Sequence, residues 1–169
     1  GDTISGGGGA DAIDGGAGAD KIEGGAGVDL IDGGTGGDRL FGGEGADHIA
    51  GNTGDDYIVG GIGSDAIDGG TGTDEIDYST DAAAGGDVGV TVNLSDGTAT
   101  DGFGAQDQLT NIENITGTDQ TDQLTGSDAA NVIKGNAGDD VISGLGGADT
   151  IEGGTGTDEI DYSTDAAAG

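Results

Sequence analysis

The chain has 169 residues, of which 43 are glycine and none is Pro, Cys, Met or Trp, and its 34 acidic residues face three Lys or Arg, a formal net charge of −31. With 31% hydrophobic residues it cannot build the core of an ordinary globular domain, and low hydrophobicity joined to high net charge predicts a self-repelling, unfolded polymer unless cations bind it. Lys21, Arg39 and Lys134 cannot supply a basic face for nucleic acid, the lack of cysteine removes disulfides and thiolate metal sites, and no apolar run reaches the length of a membrane span.

From the amino end, an aliphatic residue recurs at every ninth position: Ile4, Ile13, Ile22, Ile31, Leu40, Ile49, Ile58, Ile67 and Ile76. An aspartate stands two residues before each of them, from Asp2 and Asp11 through to Asp74. The loops between read GGGGAD (6–11), GGAGAD (15–20), GGAGVD (24–29), GGTGGD (33–38), GGEGAD (42–47), GNTGDD (51–56), GGIGSD (60–65) and GGTGTD (69–74). The unit is Gly-Gly-x-Gly-x-Asp-x-aliphatic-x, with Asn52 once in the second glycine's place, a residue that tolerates left-handed backbone angles. Along Asp-x-aliphatic-x the side chains alternate, so aspartate and aliphatic share a face while Lys21, Arg39, His48 and Tyr57 point outward. Each nonapeptide reads as a short strand and a turn. Parallel stacking of such units gives an all-β roll with a narrow aliphatic core and glycine loops in columns along its edges.

Tyr78 ends the comb where the next loop's first glycine is due, so residues 1–81 form a first block. Residues 82–112 read as a non-repeat spacer or cap, with a half-buried strand over 88–94, where Val88, Val90, Val92 and Leu94 alternate with polar residues, and a Ser95-Asp96-Gly97 turn. The comb resumes at Ile115 and runs through Leu124, Ile133, Ile142, Ile151 and Ile160, making 113–169 a second block. Ile115 lies 39 residues beyond Ile76, which is not a multiple of nine, so the spacer must be taken up as a bulge, a hairpin or a change of sheet. Loops GTDQTD (117–122) and GSDAAN (126–131) depart from the pattern, and GNAGDD, GLGGAD and GGTGTD, ending at Asp140, Asp149 and Asp158, restore it. Residues 69–85 and 153–169 are identical, which predicts a fragment of a longer protein in which a further spacer follows.

Calcium is a hard cation that takes several oxygens from carboxylates and backbone carbonyls in flexible geometry. The loops offer both, since glycine lets the backbone curl with its carbonyls turned inward and the closing aspartate adds a charged oxygen. The candidate ligands are Asp11, Asp20, Asp29, Asp38, Asp47, Asp56, Asp65, Asp74, Asp140, Asp149 and Asp158. With them go the loop carbonyls around Gly6, Gly15, Gly24, Gly33, Gly42, Gly51, Gly60, Gly69, Gly135, Gly144 and Gly153. One loop has too few ligands, so an ion must sit between two stacked loops. Burying one Ile or Leu per repeat returns roughly 1.5–3 kcal/mol, and ordering nine residues costs several times that, so folding and calcium binding are expected to be one transition.

These loops, with the aliphatic two residues after each aspartate, resemble the repeats-in-toxin family of hemolysin-type calcium-binding repeats, over residues 1–81 and about 113–165. The resemblance implies a right-handed parallel β-roll of two facing sheets, consecutive nonapeptides alternating between them, with calcium between loops i and i+2. Asp11 would then share an ion with Asp29 and Asp20 with Asp38, and so on to Asp56 with Asp74, while Asp140 would pair with Asp158; Asn131, opposite Asp149, brings no charge. About 6 to 9 calcium ions follow. The resemblance also implies type I export from a bacterium, unfolded, with folding in extracellular calcium.

Two functions follow. The first is a non-enzymatic structural module of a large secreted or cell-surface protein of adhesin, fibre or surface-layer type, favoured by the identical copies 84 positions apart. The alternative is the secretion and folding module of an enzyme or toxin whose catalytic domain lies elsewhere. His48, the one histidine, is expected at the surface, and Asp14, Asp32 and Asp68 as solvated charge. Tyr78 and Tyr162 read as plugs where a block ends, and open roll ends predict end-to-end self-assembly or stacking on neighbouring repeats.

Overall fold

The computed structural model describes residues 1–162, so residues 163–169 of the second block and of the repeated 17-residue segment lie outside the described residues. In the first block the strands are β1 (Thr3–Gly8), β2 (Ala12–Asp14), β3 (Lys21–Ala26), β4 (Leu30–Thr35), β5 (Arg39–Glu44), β6 (His48–Thr53), β7 (Tyr57–Ile62), β8 (Ala66–Asp68) and β9 (Glu75–Asp77). A single helical turn, α1 (Asp81–Ala84), leads into β10 (Thr91–Asn93), β11 (Thr98–Thr100) and β12 (Gln106–Thr110). There follow β13 (Asn114–Thr116), β14 (Gln123–Ser127), β15 (Val132–Lys134), β16 (Val141–Leu145), β17 (Thr150–Glu152) and β18 (Glu159–Asp161).

Successive nonapeptides alternate between two sheets. The first sheet runs β1-β3-β5-β7-β9-β13-β15-β17 and the second β2-β4-β6-β8-β12-β11-β10-β14-β16-β18. Pairing within each block is parallel with an 18-residue offset, so Ile22 lies over Ile4, Leu40 over Ile22 and Ile58 over Leu40 in one sheet, and Ile31, Ile49 and Ile67 stack in the other. This stacking is why a nine-residue comb suffices as a core. Seven of its first-block members, Ile22 to Ile76, are 0–2% exposed, while Ile4 and Ile13 at the open end are only partly covered. Outward positions fall as the alternation requires: Lys21, Arg39 and Tyr57 are register neighbours across β3, β5 and β7, with the Arg39 guanidinium 4.3 Å from the Tyr57 ring centre. His48 faces outward between Leu30 and Ala66.

The 39-residue offset is absorbed by a hairpin confined to one sheet. In the first sheet β9 pairs directly with β13, Ile76 opposite Ile115. In the second, β12 lies parallel to β8 with Leu109 opposite Ile67, β11 runs antiparallel to both β12 and β10, and β10 lies parallel to β14 with Val92 opposite Leu124. The second sheet therefore has ten strands against eight in the first. The spacer strand begins at Thr91 rather than at Val88, which is half exposed, and two further spacer strands accompany it. Leu109 also returns the chain to register before Ile115. The nine-residue periodicity conceals this because Leu109 and Ile115 are six positions apart rather than nine, yet each pairs in register with its own sheet.

Tyr78 is buried at the junction with the hairpin. It is 2% exposed, belongs to the same core as Ile76, Val90 and Ile115, and its hydroxyl donates to Asp107 Oδ2 at 3.0 Å. Tyr162, at the same place in the copied segment, is 60% exposed.

Candidate metal centre in the loop columns

Each regular loop closes on an aspartate whose two oxygens meet different fates. Oδ1 accepts the backbone N–H of the aspartate eighteen residues earlier, in the loop stacked against it. Asp29 accepts from Asp11 at 2.8 Å, Asp38 from Asp20 at 2.7 Å, Asp47 from Asp29 at 2.8 Å and Asp56 from Asp38 at 2.7 Å. Asp65 accepts from Asp47 and Asp74 from Asp56, both at 2.8 Å, Asp158 from Asp140 at 3.2 Å, and Asp20 likewise from Asp2. The strand alternation that sends the aliphatic residue inward sends this carboxylate to the same side, so burial of one enforces burial of the other.

Oδ2 is left over. In Asp11, Asp20, Asp29, Asp38, Asp47, Asp56, Asp65, Asp74 and Asp140 it is buried and has no hydrogen-bond partner. A buried carboxylate oxygen with no donor is costly, and repetition in every regular turn of the first block makes it a designed feature of the stack. Backbone oxygens collect beside it. A Cβ placed on Gly24 would lie 2.6 Å from both Asp29 Oδ2 and the Gly42 carbonyl oxygen; on Gly42 it would lie 2.6 Å from Asp47 Oδ2 and 2.4 Å from the Gly60 carbonyl. The first glycine of a loop is therefore fixed by the two oxygens that crowd it. The second place needs a left-handed backbone, and Asn52 (φ 70°), Asn136 (φ 72°) and even Leu145 (φ 66°) adopt it where glycine is missing.

Burial sets the electrostatics of these acids. It raises Asp65 and Asp74 to about 6, and raises Asp38, Asp47, Asp56 and Asp140 as well. The N–H bond to Oδ1 opposes the rise without cancelling it, and the neighbouring loop's aspartate adds to it. Such groups are relieved by a proton or by a metal cation.

The donor set selects among metals. Among the described residues no three His, Cys, Asp or Glu side chains gather in one place. An ion held here takes one or two carboxylates and completes its shell with backbone carbonyls, which suits calcium and does not suit zinc.

Of the eleven aspartates singled out by the sequence, nine have the buried, unpartnered oxygen. Asp149 and Asp158, in the last turns, are partly exposed, and Asp149 Oδ1 accepts the Asn131 N–H at 2.9 Å. Asp32 and Asp68 do more than carry charge, since each accepts from an asparagine of the next turn, Asn52 at 2.6 Å and Asn111 at 2.8 Å. Asp107, Asp122 and Glu113, which are not among the eleven candidate ligands, occupy the aspartate's place at the junction and accept the N–H groups of Asp65, Val90 and Asp74 at 3.0, 2.7 and 2.9 Å. The signal for two of them was present: Asp107-Gln108-Leu109 and Asp122-Gln123-Leu124 repeat the aspartate-x-aliphatic spacing.

A family model described as the RTX calcium-binding nonapeptide repeat matches the chain in four copies, over residues 5–40, 41–76, 116–151 and 125–160. No curated protein matches it.

Proposed function

Because the chain belongs to the RTX calcium-binding nonapeptide repeat family, we propose that it is a calcium-rigidified structural module of a large secreted or cell-surface protein, of adhesin, fibre or surface-layer type, that folds on calcium outside the cell. The observation that carries this reading is the run of eight consecutive loop aspartates, Asp11 to Asp74, each with a buried oxygen that no donor reaches. We assign the ions to the space between loops eighteen residues apart. Asp11 to Asp74 supply carboxylates in the first block, with Asp140, Asp149 and Asp158 in the second. The carbonyls at each loop's first glycine complete the shells, for about 6 to 9 ions in all.

Bound calcium supplies positive charge where the stack concentrates negative charge. The chain's own contribution is preorganisation: each Oδ1 is held by the N–H of the stacked loop eighteen residues earlier, which leaves Oδ2 buried and free of donors. A chain of net charge −31 with one core residue per nonapeptide has little else to hold it closed. The exposed strand edges of β1, β2, β17 and β18, with Ile4, Ile13 and Ile151 only partly covered, support stacking on neighbouring repeats or on another copy. His48 sits between Leu30 and Ala66 without an acid or nucleophile in register, and no catalysis is assigned to the module.

Far-ultraviolet circular dichroism during a calcium titration, with magnesium as control, tests the reading. A cooperative gain of most of the β signal with calcium alone is expected. Full β signal in calcium-free buffer would overturn it.

A further inference from the structure

The loop aspartates fall into two classes, and the second class is confined to the junction between the blocks. In regular loops Oδ2 has no partner; at three of the four loop-closing positions around the hairpin, Asp107, Asp122 and Asn131, a donor of the chain itself stands there. Asp107 Oδ2 accepts the Tyr78 hydroxyl at 3.0 Å, with Oδ1 on the Asp65 N–H as elsewhere. Asp122 Oδ2 accepts the Thr118 N–H at 2.7 Å, and its Oδ1 takes both the Thr118 hydroxyl at 2.8 Å and the Val90 N–H at 2.7 Å. At Asn131 the exchange is more direct. Its Oδ1 accepts the Ser127 N–H at 2.8 Å, which fixes the amide's orientation, and its Nδ2 donates to the Glu113 carbonyl at 2.5 Å. A carboxylate at 131 would set an oxygen against that carbonyl, an arrangement that a proton or a cation would have to bridge.

We propose that this stretch, Tyr78 with residues 90–131, is a calcium-independent collar: the chain's own donors occupy places that calcium fills in the flanking rolls, so the collar stays folded when the ions leave. The inference deepens the calcium reading and rests on it. Packing at the collar points the same way. Tyr78, the largest fully buried side chain, lies here with Val90, Val92, Leu109, Ile112 and Ile115, an apolar cluster denser than one aliphatic per nonapeptide. Its strands β10, β11 and β12 are antiparallel neighbours in sequence, which need no ion-bridged return loop to pair. Asp101 is the exception in this region, with Oδ2 buried and unpartnered; it caps the β11–β12 turn, where its Oδ1 accepts the Phe103 and Ala105 N–H groups at 3.0 and 2.7 Å. Because a stacked solenoid grows from an existing rung, the collar offers each flanking roll a preformed face to fold against when calcium arrives.

Hydrogen exchange with mass spectrometry on the full chain, with and without calcium, tests the collar. In calcium-free buffer, peptides covering 107–131 are expected to exchange at least ~10-fold slower than an unfolded reference, while peptides within 20–56 exchange at the reference rate. Uniformly unprotected exchange would overturn the collar and leave the calcium reading intact. Uniform protection without calcium would overturn both. Asn131→Asp supplies a second readout by equilibrium dialysis, in which the variant is expected to bind one more calcium ion per chain and to lose protection of loop 126–131 in calcium-free buffer. Unchanged stoichiometry with unchanged protection would show that the Asn131 amide does not stand in for the ion. Tyr78→Phe, which keeps the ring and removes the hydroxyl, is expected to lower protection of 107–109 in calcium-free buffer, and no change would sink the Tyr78 part of the proposal.

Discussion

Asp56 holds the backbone N–H of Asp38 through Oδ1 at 2.7 Å, eighteen residues away in sequence and one rung away in space, and keeps its Oδ2 buried with no donor at all. The same carboxylate thus ties two turns together and leaves one oxygen for a cation. Substituting Asn for Asp56 preserves the Oδ1 acceptor and removes the charge. The calcium midpoint of the folding transition is expected to rise by about 10-fold or more, since ligand charge tunes affinity in such sites. A midpoint unchanged in a circular dichroism titration would remove Asp56 from the ligand set.

Crowding at the first glycine gives a prediction independent of charge. A methyl group at Gly42 would stand 2.4 Å from the Gly60 carbonyl and 2.6 Å from Asp47 Oδ2, whereas at Gly8 its nearest neighbour is the Ala26 carbonyl at 4.0 Å. Gly42→Ala is expected to destabilise the calcium-loaded roll by about 1–3 kcal/mol, with Gly8→Ala near neutral. Thermal melts in saturating calcium compare them, and equal melting temperatures would refute the crowding argument.

Acid should partly replace calcium. Without the ion, burial raises Asp65 and Asp74 to about 6 and Asp107 to about 7, against 3.8 for a free aspartate. A folded-state value above the unfolded one contributes stability that is full below the unfolded value and is lost as pH rises through the folded one. Lowering the pH of calcium-free buffer from 8 toward 4 is therefore expected to increase β signal, most steeply between about 7 and 4. In calcium the sign reverses for affinity, because protons compete for the same oxygens, and the calcium midpoint should rise as pH falls. β signal that is flat or falling on acidification without calcium would contradict the first half.

The aliphatic comb should matter unequally along its length. Ile58 is 0% exposed between Leu40 and Ile76, and Ile13 is only partly covered at the open end. Truncation to Ala is expected to cost about 2–5 kcal/mol at Ile58 and less at Ile13, read as the shift in calcium midpoint or melting temperature. Equal costs would mean that the end of the roll is covered in solution.

The amino-acid sequence by itself determined the rungs. A nine-residue comb with an aspartate two places before each tooth can bury both only on one face of a strand, and stacking then follows, so the two parallel sheets and nine of the unpartnered aspartates were legible without coordinates. Tertiary structure alone decided the junction. That β9 meets β13 while β10 and β11 widen only the opposite sheet, that Leu109 rather than Ile115 restores the register, and that Tyr78 supplies a donor where other loops lack one, depend on pairings between residues 29 to 42 positions apart. Periodicity carries no information about such pairings once the period is broken, because what fixes them is the closing of buried hydrogen bonds across the two sheets.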